Sequence, residues 1–138
     1  MQDQYISILS MNELGRDERG VTLTYETRNN SKHIFLTRKK GTTSGNTYHT
    51  GKNPNTNPKM FVLLSGEIKL HYRHINSNSH SFIKVQQPSV IKIVPYVTHS
   101  IEALTDILML ECNSIEDIQE DRIKENVKIS LECTVNEL

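Results

Sequence analysis

Two histidines and one lysine are the residues of this sequence best suited to chemistry. His49, Lys59 and His99 lie in three short segments that follow one another in a fixed order. An imidazole can take up or release a proton near neutral pH, and it can also bind a metal ion. A lysine ammonium can anchor an anion or polarise a carbonyl group. We expect the two histidines to meet inside the fold.

The segments around these residues are typical of strands and the turns between them. Gly45-Asn46-Thr47-Tyr48-His49 leads through a polar loop into Lys59-Met60-Phe61-Val62-Leu63-Leu64-Ser65-Gly66. Ile93-Val94-Pro95-Tyr96-Val97-Thr98-His99 opens another strand after a proline turn. The loop, 51–58, contains two prolines and is long enough to form a mobile flap beside the site.

Most of the chain is predicted to form short strands. Residues 66–73 alternate, so that Ile68, Leu70 and Tyr72 share an inner face while His71 points to the surface. A turn at 76–79 makes 82–85 the hairpin partner of this strand. Seven or eight short strands at this spacing indicate a sandwich or barrel. The other predicted strands are 21–26, 34–37, 61–64, 90–94, 99–104 and 107–111.

One segment near the end departs from the strand pattern. Ser114 begins a capping-box sequence, and Ile115, Ile118 and Arg122 follow at roughly helical spacing. We therefore predict a short amphipathic helix over about 114–125 that closes one end of the barrel. The tail at 127–131 is expected to form a late strand or an arm exchanged with a partner chain.

Composition limits the classes of function. The 138 residues include 16 basic and 16 acidic side chains, so no overall charge favours nucleic acid or an anionic membrane. The basic trio Arg38, Lys39 and Lys40 is read as a solvated strand end. No apolar run approaches the roughly 20 residues that span a bilayer, and residues 1–5 lack the features of a secretion signal. Cys112 and Cys133 are expected to be reduced thiols of a cytoplasmic protein, with a single bridge as the alternative.

The order of these glycine, proline and histidine motifs resembles the cupin superfamily. Within that superfamily, the sequence resembles the sugar-nucleotide branch most specifically. This branch includes dTDP-4-dehydrorhamnose 3,5-epimerases, 3,4-ketoisomerases and cupin domains of capsule-synthesis enzymes. The resemblance runs from about residue 15 to residue 119. It implies an all-β, jelly-roll barrel with a short C-terminal helix. We expect 1–138 to be a single cupin domain with its core at about 15–119 and the helix end and tail at 120–138.

The same resemblance assigns positions to a metal site. The general cupin pattern has four ligands, and Thr47, His49, Lys59 and His99 occupy their places. Two imidazoles could hold a divalent metal weakly, with waters or a substrate oxygen completing the shell. The ammonium of Lys59 would repel such a cation. We therefore expect that no cofactor is required, and a divalent metal at His49 and His99 is the alternative.

The resemblance also suggests catalytic and substrate-binding residues. His49 matches the second of two histidines that the 3,4-ketoisomerases use, and Arg19 matches the arginine that grips the diphosphate. The predicted catalytic set is therefore His49, His99 and Lys59. The predicted substrate-binding set is Arg19, Thr47, Tyr72 and His74, the last two because they share the inner strand face.

Each of these residues also has a purely structural interpretation. His49 and His99 could be hydrogen-bonded histidines of the barrel core, and Tyr72 could simply pack there. Lys59 could extend to the rim, where most lone lysines are exposed. The segment 17–20 could be no more than a tight turn in which glycine allows a positive φ.

Three functions remain open from the sequence. The first is an isomerase or epimerase of a 4-keto-6-deoxy sugar nucleotide in surface-polysaccharide biosynthesis. The second is a non-catalytic cupin that binds a carbohydrate or small anion. The third is a metal-dependent cupin such as a dioxygenase. In each case we expect a small-molecule ligand and a homodimer, with no nucleic acid or membrane partner.

Overall fold

The structure, a computed structural model, describes residues 3–28 and 32–125. The tail predicted at 127–131 and Cys133 lie outside these residues. The described chain consists of short strands, one turn of 3₁₀ helix at Pro54–Thr56 and one short α-helix, α1, at Ile115–Glu120. The strands are β1 Ile6–Ser10, β2 Asn12–Asp17, β3 Gly20–Thr24, β4 Ile34–Arg38, β5 Thr43–Tyr48, β6 Lys59–Ser65, β7 Glu67–His74, β8 Ser81–Gln86, β9 Ser89–Ile93, β10 Val97–Ala103, β11 Ile107–Glu111 and β12 Ile123–Lys124.

Two five-stranded antiparallel sheets enclose the core. The first has the order β1–β9–β6–β11–β4, and the second has the order β12–β5–β10–β7–β8. Both sheets contribute to one buried cluster, for example Leu63 and Ile91 from the first and Ile68 and Leu70 from the second. This architecture confirms the predicted all-β jelly-roll barrel with a short helix after its last long strand. The first sheet includes β1, which precedes the predicted core, and the assignment of 1–138 to one domain stays a prediction.

Strand β7 shows both the strength and the limit of alternation. Its predicted inner face is buried, as expected, with Ile68 and Leu70 at 0% exposure. His71 was predicted to lie on the surface, and this is wrong, because the residue is only 4% exposed. The ring packs beside those of His80 and Phe82 on the outer face, and its Nε2 lies 2.9 Å from a carboxylate oxygen of Glu102. Neighbouring side chains, rather than the core, therefore cover this position.

Helix α1 is shorter than predicted. Ser114 is its N-cap and forms the expected capping box with Asp117, in which each side chain accepts from the other residue's backbone N–H. The helix ends at Glu120 rather than near residue 125. The backbone then leaves the helical conformation at Asp121, and Ile123 pairs with Tyr48 to add β12 to the second sheet. In the described part of the chain, no helix is both long and apolar enough to cross a membrane.

The hairpin of β2 and β3 differs from the half-buried strand predicted at 21–26. The two strands pair only with each other as a two-stranded sheet. Val21 is 43% exposed and Leu14 is 69% exposed. Alternation correctly predicted a strand here, but every residue of the two strands is exposed except Leu23, which is partly buried.

Gly66 makes the tight connection between β6 and β7. Its φ is +98°, in the left-handed region that residues other than glycine rarely adopt. A Cβ at this position would lie 2.5 Å from the carbonyl oxygen of Asp106 and 2.7 Å from Cγ2 of Ile107. The glycine is therefore required both by the backbone conformation and by the lack of space.

Replacing Gly66 with alanine is expected to lower the free energy of unfolding by about 3 kcal/mol, since strain and overlap add. Gly41 is a matched control, because its φ is +89° but a Cβ there would meet no atom within 4 Å. Gly41→Ala should therefore lower stability by only about 1–2 kcal/mol. Urea unfolding of both variants measures the difference. Equal losses for the two variants would contradict the overlap at Gly66.

Candidate active site

Adjacent strands of the second sheet bring the two histidines together. His99 lies on β10, and His49 directly follows β5, whose Thr47 is the ladder partner of His99. The two imidazole rings stack with centroids 5.7 Å apart and an interplanar angle of 26°. Phe61 contacts the His99 ring edge to face, with centroids 6.0 Å apart. Both histidines are at least 95% buried.

Backbone carbonyls determine which nitrogen of each ring carries the proton. Nδ1 of His49 lies 2.5 Å from the carbonyl oxygen of Asp121, and Nδ1 of His99 lies 3.1 Å from that of Val97. A carbonyl oxygen can only accept, so Nδ1 must be the protonated donor in both rings. Nε2 therefore has the free lone pair of each neutral ring. Among the described residues, neither Nε2 has a hydrogen-bond partner.

Burial keeps both rings neutral. Burial, together with the nearby His49 and Lys59, lowers the pKa of His99 to about 3, although the hydrogen bond to Val97 opposes the shift. Burial also lowers the pKa of His49, as does Lys59, although the hydrogen bond to Asp121 opposes this. At pH 7 the pair is thus two unprotonated bases, which suits proton abstraction or metal binding.

The pair lines a cavity of about 400 Å³, a volume within the range of small-molecule sites. Apolar side chains of both sheets form part of its wall, together with the backbone of Gly45. Three cationic side chains, from Arg38, Arg122 and Lys124, and one carboxylate, from Glu111, provide its charged groups. The complete lining is Leu36, Arg38, Ser44, Gly45, Thr47, His49, Phe61, His99, Ile101, Glu111, Arg122 and Lys124.

Lys59 lies behind this wall and not at the rim. The interpretation as an exposed lysine is wrong, because its side chain is only 1% exposed. Its Nζ donates to the carboxylate of Glu111 and, at 2.6 Å, to the amide oxygen of Asn113. Burial lowers the pKa of Lys59, whereas the Glu111 carboxylate raises it. The ammonium is therefore used in a buried ion pair whose carboxylate reaches the cavity.

Of the predicted substrate-binding residues, Thr47 lines the cavity of the histidine pair. Tyr72 and His74 line a separate depression beside the N-terminal segment. The hydroxyl of Tyr72 donates to Asp3 at 2.5 Å, and the ring of His74 packs 5.5 Å from that of Tyr5. The structure thus does not bring Tyr72 or His74 to the histidine pair.

Arg19 lies in the turn between β2 and β3, as the tight-turn interpretation predicted. Gly20 has a φ of +140° there. The Arg19 side chain is 85% exposed and pairs with the carboxylate of Asp17 at 2.7 Å. It does not line the cavity. Substrate binding by Arg19, Thr47, Tyr72 and His74 stays a prediction.

Four charged residues that line the cavity were not predicted from the sequence to belong to the site. Arg38, which the sequence predicts to be part of a solvated strand end, is the last residue of β4 and lines the cavity. Glu111 shares the inner face of β11 with Ile107 and Met109, so the alternation of 107–111 could have indicated it. Arg122 and Lys124 follow the early end of α1, and the longer predicted helix concealed their position.

A divalent metal at His49 and His99 stays a prediction. Neutral imidazoles with free Nε2 atoms are good ligands for zinc and related metals. Catalytic zinc sites usually have three protein ligands, however. Within residues 3–28 and 32–125, no group of three His, Cys, Asp or Glu side chains is arranged to hold a metal ion. The donor set fits a two-ligand site completed by water or substrate, and Lys59 weakens it.

The buried neutral state of His99 predicts a stability that depends on pH. Its folded pKa of about 3 lies below the unfolded value of 6.5, so only the unfolded chain binds a proton in between. Stability should therefore fall as pH falls from 6.5, by up to about 1.4 kcal/mol per pH unit from this residue. His99→Asn removes the titrating ring but keeps a donor for Val97, so its pH dependence should be shallower.

Urea unfolding at pH 7.0, 6.0 and 5.0 measures this difference. His33→Asn is the matched control, because His33 is exposed. We expect the control curve to run parallel to that of the unsubstituted protein. A His99→Asn curve that is also parallel would contradict burial of a neutral His99.

Solved structures of sugar-nucleotide enzymes have the same fold. QdtA, a sugar 3,4-ketoisomerase from Thermoanaerobacterium thermosaccharolyticum in complex with TDP, is 17% identical with a TM-score of 0.68, over 89% of this chain and 90% of that chain. The dTDP-6-deoxy-D-glucose-3,5-epimerase RmlC from Legionella pneumophila is 16% identical with a TM-score of 0.65, over 90% of this chain and 74% of that chain. These similarities show the fold predicted from the sugar-nucleotide cupins.

The capsular polysaccharide assembling protein CapF from Staphylococcus aureus is also similar. It is 25% identical with a TM-score of 0.57, and the match covers 86% of this chain but only 33% of CapF. A comparison with curated protein sequences gave no match. A family model described as the polysaccharide biosynthesis C-terminal domain matches residues 15–122, which include both histidines and the whole cavity lining except Lys124. The chain therefore belongs to the polysaccharide biosynthesis C-terminal domain family.

Proposed function

We propose that this protein is an isomerase or epimerase of a 4-keto-6-deoxy sugar nucleotide in surface-polysaccharide biosynthesis. The observation that carries this proposal is the pair of neutral imidazoles, His49 and His99, with free Nε2 atoms in one cavity. Membership of a polysaccharide biosynthesis family supports the same class of substrate. The fold shared with QdtA, a sugar 3,4-ketoisomerase, and with RmlC, a 3,5-epimerase, is compatible with this reaction.

The reaction needs only proton transfers. A base removes a proton from the carbon beside the ketone, the electrons of the C–H bond form the C=C bond of an enolate, and the negative charge moves to the former ketone oxygen. Return of a proton to the same carbon from the other face inverts it. Return to the neighbouring carbon, with proton movement between the two oxygens, shifts the ketone. His49 is proposed as the acid–base group and His99 as its partner or orienter.

The positive charge of Lys59 acts on the proposed reaction through its electrostatic potential. Its charge lowers the pKa of both His49 and His99, so its potential reaches the reacting region. A positive potential stabilises the negative charge that develops on the ketone oxygen. Direct contact of Lys59 with the substrate would require it to leave Glu111 and Asn113. We therefore propose an electrostatic role for Lys59.

The charged rim supports an anionic ligand. Arg38, Arg122 and Lys124 line the cavity, and in the part of the chain that the structure describes none of them forms a salt bridge. The carboxylate of Glu111 is already paired with Lys59. The mouth therefore carries excess positive charge, which favours phosphate groups. We propose that these three side chains hold the diphosphate of the sugar nucleotide.

A homodimer is part of the proposal. Leu14, Val21 and Tyr25 on and beside the β2–β3 hairpin are all more than a third exposed. Exposed apolar strands of this kind are usually covered in an assembly.

We also propose a cytoplasmic location, where nucleotide sugars are made and consumed.

The second candidate function is a non-catalytic cupin that binds a carbohydrate or small anion. The observation that favours it is Thr47, which lines the cavity at a position where the cupin pattern has a histidine. In this alternative the rim and cavity still bind the ligand, but the histidines serve as hydrogen-bonding partners. Turnover distinguishes the two functions.

The test is incubation with dTDP-4-keto-6-deoxyglucose in deuterium oxide. We expect deuterium to enter the sugar ring at a carbon beside the ketone, as measured by mass spectrometry and NMR. His49→Gln and His99→Gln should each slow the exchange by about 100-fold or more, because general acid–base groups contribute that much. His33→Gln, which removes an exposed histidine, is the control and should exchange at the unaltered rate.

Binding of the nucleotide sugar without exchange would favour the non-catalytic cupin. Neither binding nor exchange would reject both the substrate and the reaction. Retention of full exchange in both histidine variants would reject their assignment as the acid–base pair.

A further inference from the structure

The carboxylate of Asp121 is buried and surrounded by donors. The residue is 2% exposed and directly follows α1. Its Oδ1 accepts from the backbone N–H and the hydroxyl of Thr50, at 2.8 and 2.9 Å. Its Oδ2 accepts from the N–H of Gly51 at 2.8 Å and from the hydroxyl of Thr56 at 2.6 Å. Burial would raise the pKa of Asp121, but these hydrogen bonds lower it below its ordinary value.

The same residue also holds the imidazole of His49. The backbone carbonyl of Asp121 accepts from Nδ1 at 2.5 Å. Asp121 therefore contacts three consecutive residues, because its carbonyl binds the ring of His49 while its carboxylate binds the backbone of Thr50 and Gly51. Loop 51–58, which the sequence predicts as a mobile flap, is therefore hydrogen-bonded to the residue that follows α1 through Gly51 and Thr56.

His99 is held in a different way. Its Nδ1 donates to the carbonyl of Val97, two residues earlier on the same strand. The orientation of His99 is thus local to β10. The orientation of His49 depends instead on a residue that lies 72 positions away in the chain.

We propose that Asp121 is the positioning residue of His49. By fixing the backbone after His49 and accepting from its Nδ1, Asp121 holds the ring in the tautomer with a free Nε2. The hydrogen bond at one ring nitrogen decides the protonation of the other. The inference rests on the proposed function only in giving this ring a catalytic role, and the geometry of Asp121 is independent of it.

The main test is long-range ¹H–¹⁵N NMR of the imidazole nitrogens in the ligand-free protein at pH 7. In the unsubstituted protein we expect one tautomer, with Nδ1 protonated and Nε2 unprotonated, for both His49 and His99. Asp121→Asn places an amide NH₂ group against the donors of Thr50 or of Gly51 and Thr56. The loop should then shift, and the His49 nitrogens should move to the averaged values of a tautomer mixture. His99 is the internal reference and should be unchanged.

Asp117→Asn is the matched control. Asp117 is a buried carboxylate within α1, four residues before Asp121, and it accepts from Asn53, Asn55 and Asn113 without contacting His49. This variant should leave the His49 spectrum as it is. If Asp121→Asn does not fold, Thr56→Val serves in its place, because it removes one donor to Oδ2 and should produce a smaller shift of the same nitrogens.

Three results would overturn the proposal. The first is an unchanged His49 tautomer in folded Asp121→Asn, or in Thr56→Val if that variant is used. The second is an equal change at His49 and His99, which would indicate general loosening. The third is an equal change in Asp117→Asn.

With the keto-sugar nucleotide, Asp121→Asn should slow deuterium exchange by about 10-fold to 100-fold while TDP binding is retained. Absence of exchange in the unsubstituted protein would remove the proposed function but would leave the NMR result to decide on Asp121.

Discussion

A carboxylate buried in a protein must be surrounded by hydrogen-bond donors, and the site depends on how Asp121 meets this requirement. The donors come from the segment that follows β5. These hydrogen bonds join the end of α1 to the barrel directly beside His49. The carbonyl of the same residue then binds the imidazole. One residue thus connects the helix, the loop and the histidine pair.

A chain of polar contacts also links the loop after His49 to the other side of the cavity. Asp117 binds the amides of Asn53 and Asn113, and Asn113 in turn accepts from Lys59. Lys59 completes the chain at Glu111, on the cavity wall. Removing one partner of such a buried pair is far more costly than its net contribution suggests, because the other charge is left without compensation. The helix therefore organises both the neutral histidines and the charged wall opposite them.

The fold was largely predictable from the sequence because strand alternation and turn residues are local signals. The inner face of β7 and the capping box of Ser114 were both found in this way. The end of α1 was not, because helical spacing continues through Arg122 while the buried carboxylate of Asp121 draws the backbone out of the helix. Strand β1 was missed as well, since it is defined by its pairing with β9.

The site was less predictable, because its charged residues are brought together by long-range contacts. The sequence indicated His49 and His99, but Lys59 was assigned by position alone, and its partner Glu111 lies 52 residues away. Burial of a lysine is decided by whether such a partner exists, which no local pattern reveals. Arg122 and Lys124 reach the cavity only because β12 joins the sheet beside β5.

The most direct test of the proposed site is a crystal structure of the protein with dTDP-glucose, an unreactive nucleotide sugar. The diphosphate is expected to lie against Arg38, Arg122 and Lys124, and the hexose ring beside Nε2 of His49 and His99. A diphosphate bound at Arg19 with the hexose outside the cavity, or a cavity without ligand at saturating concentration, would contradict the proposed site.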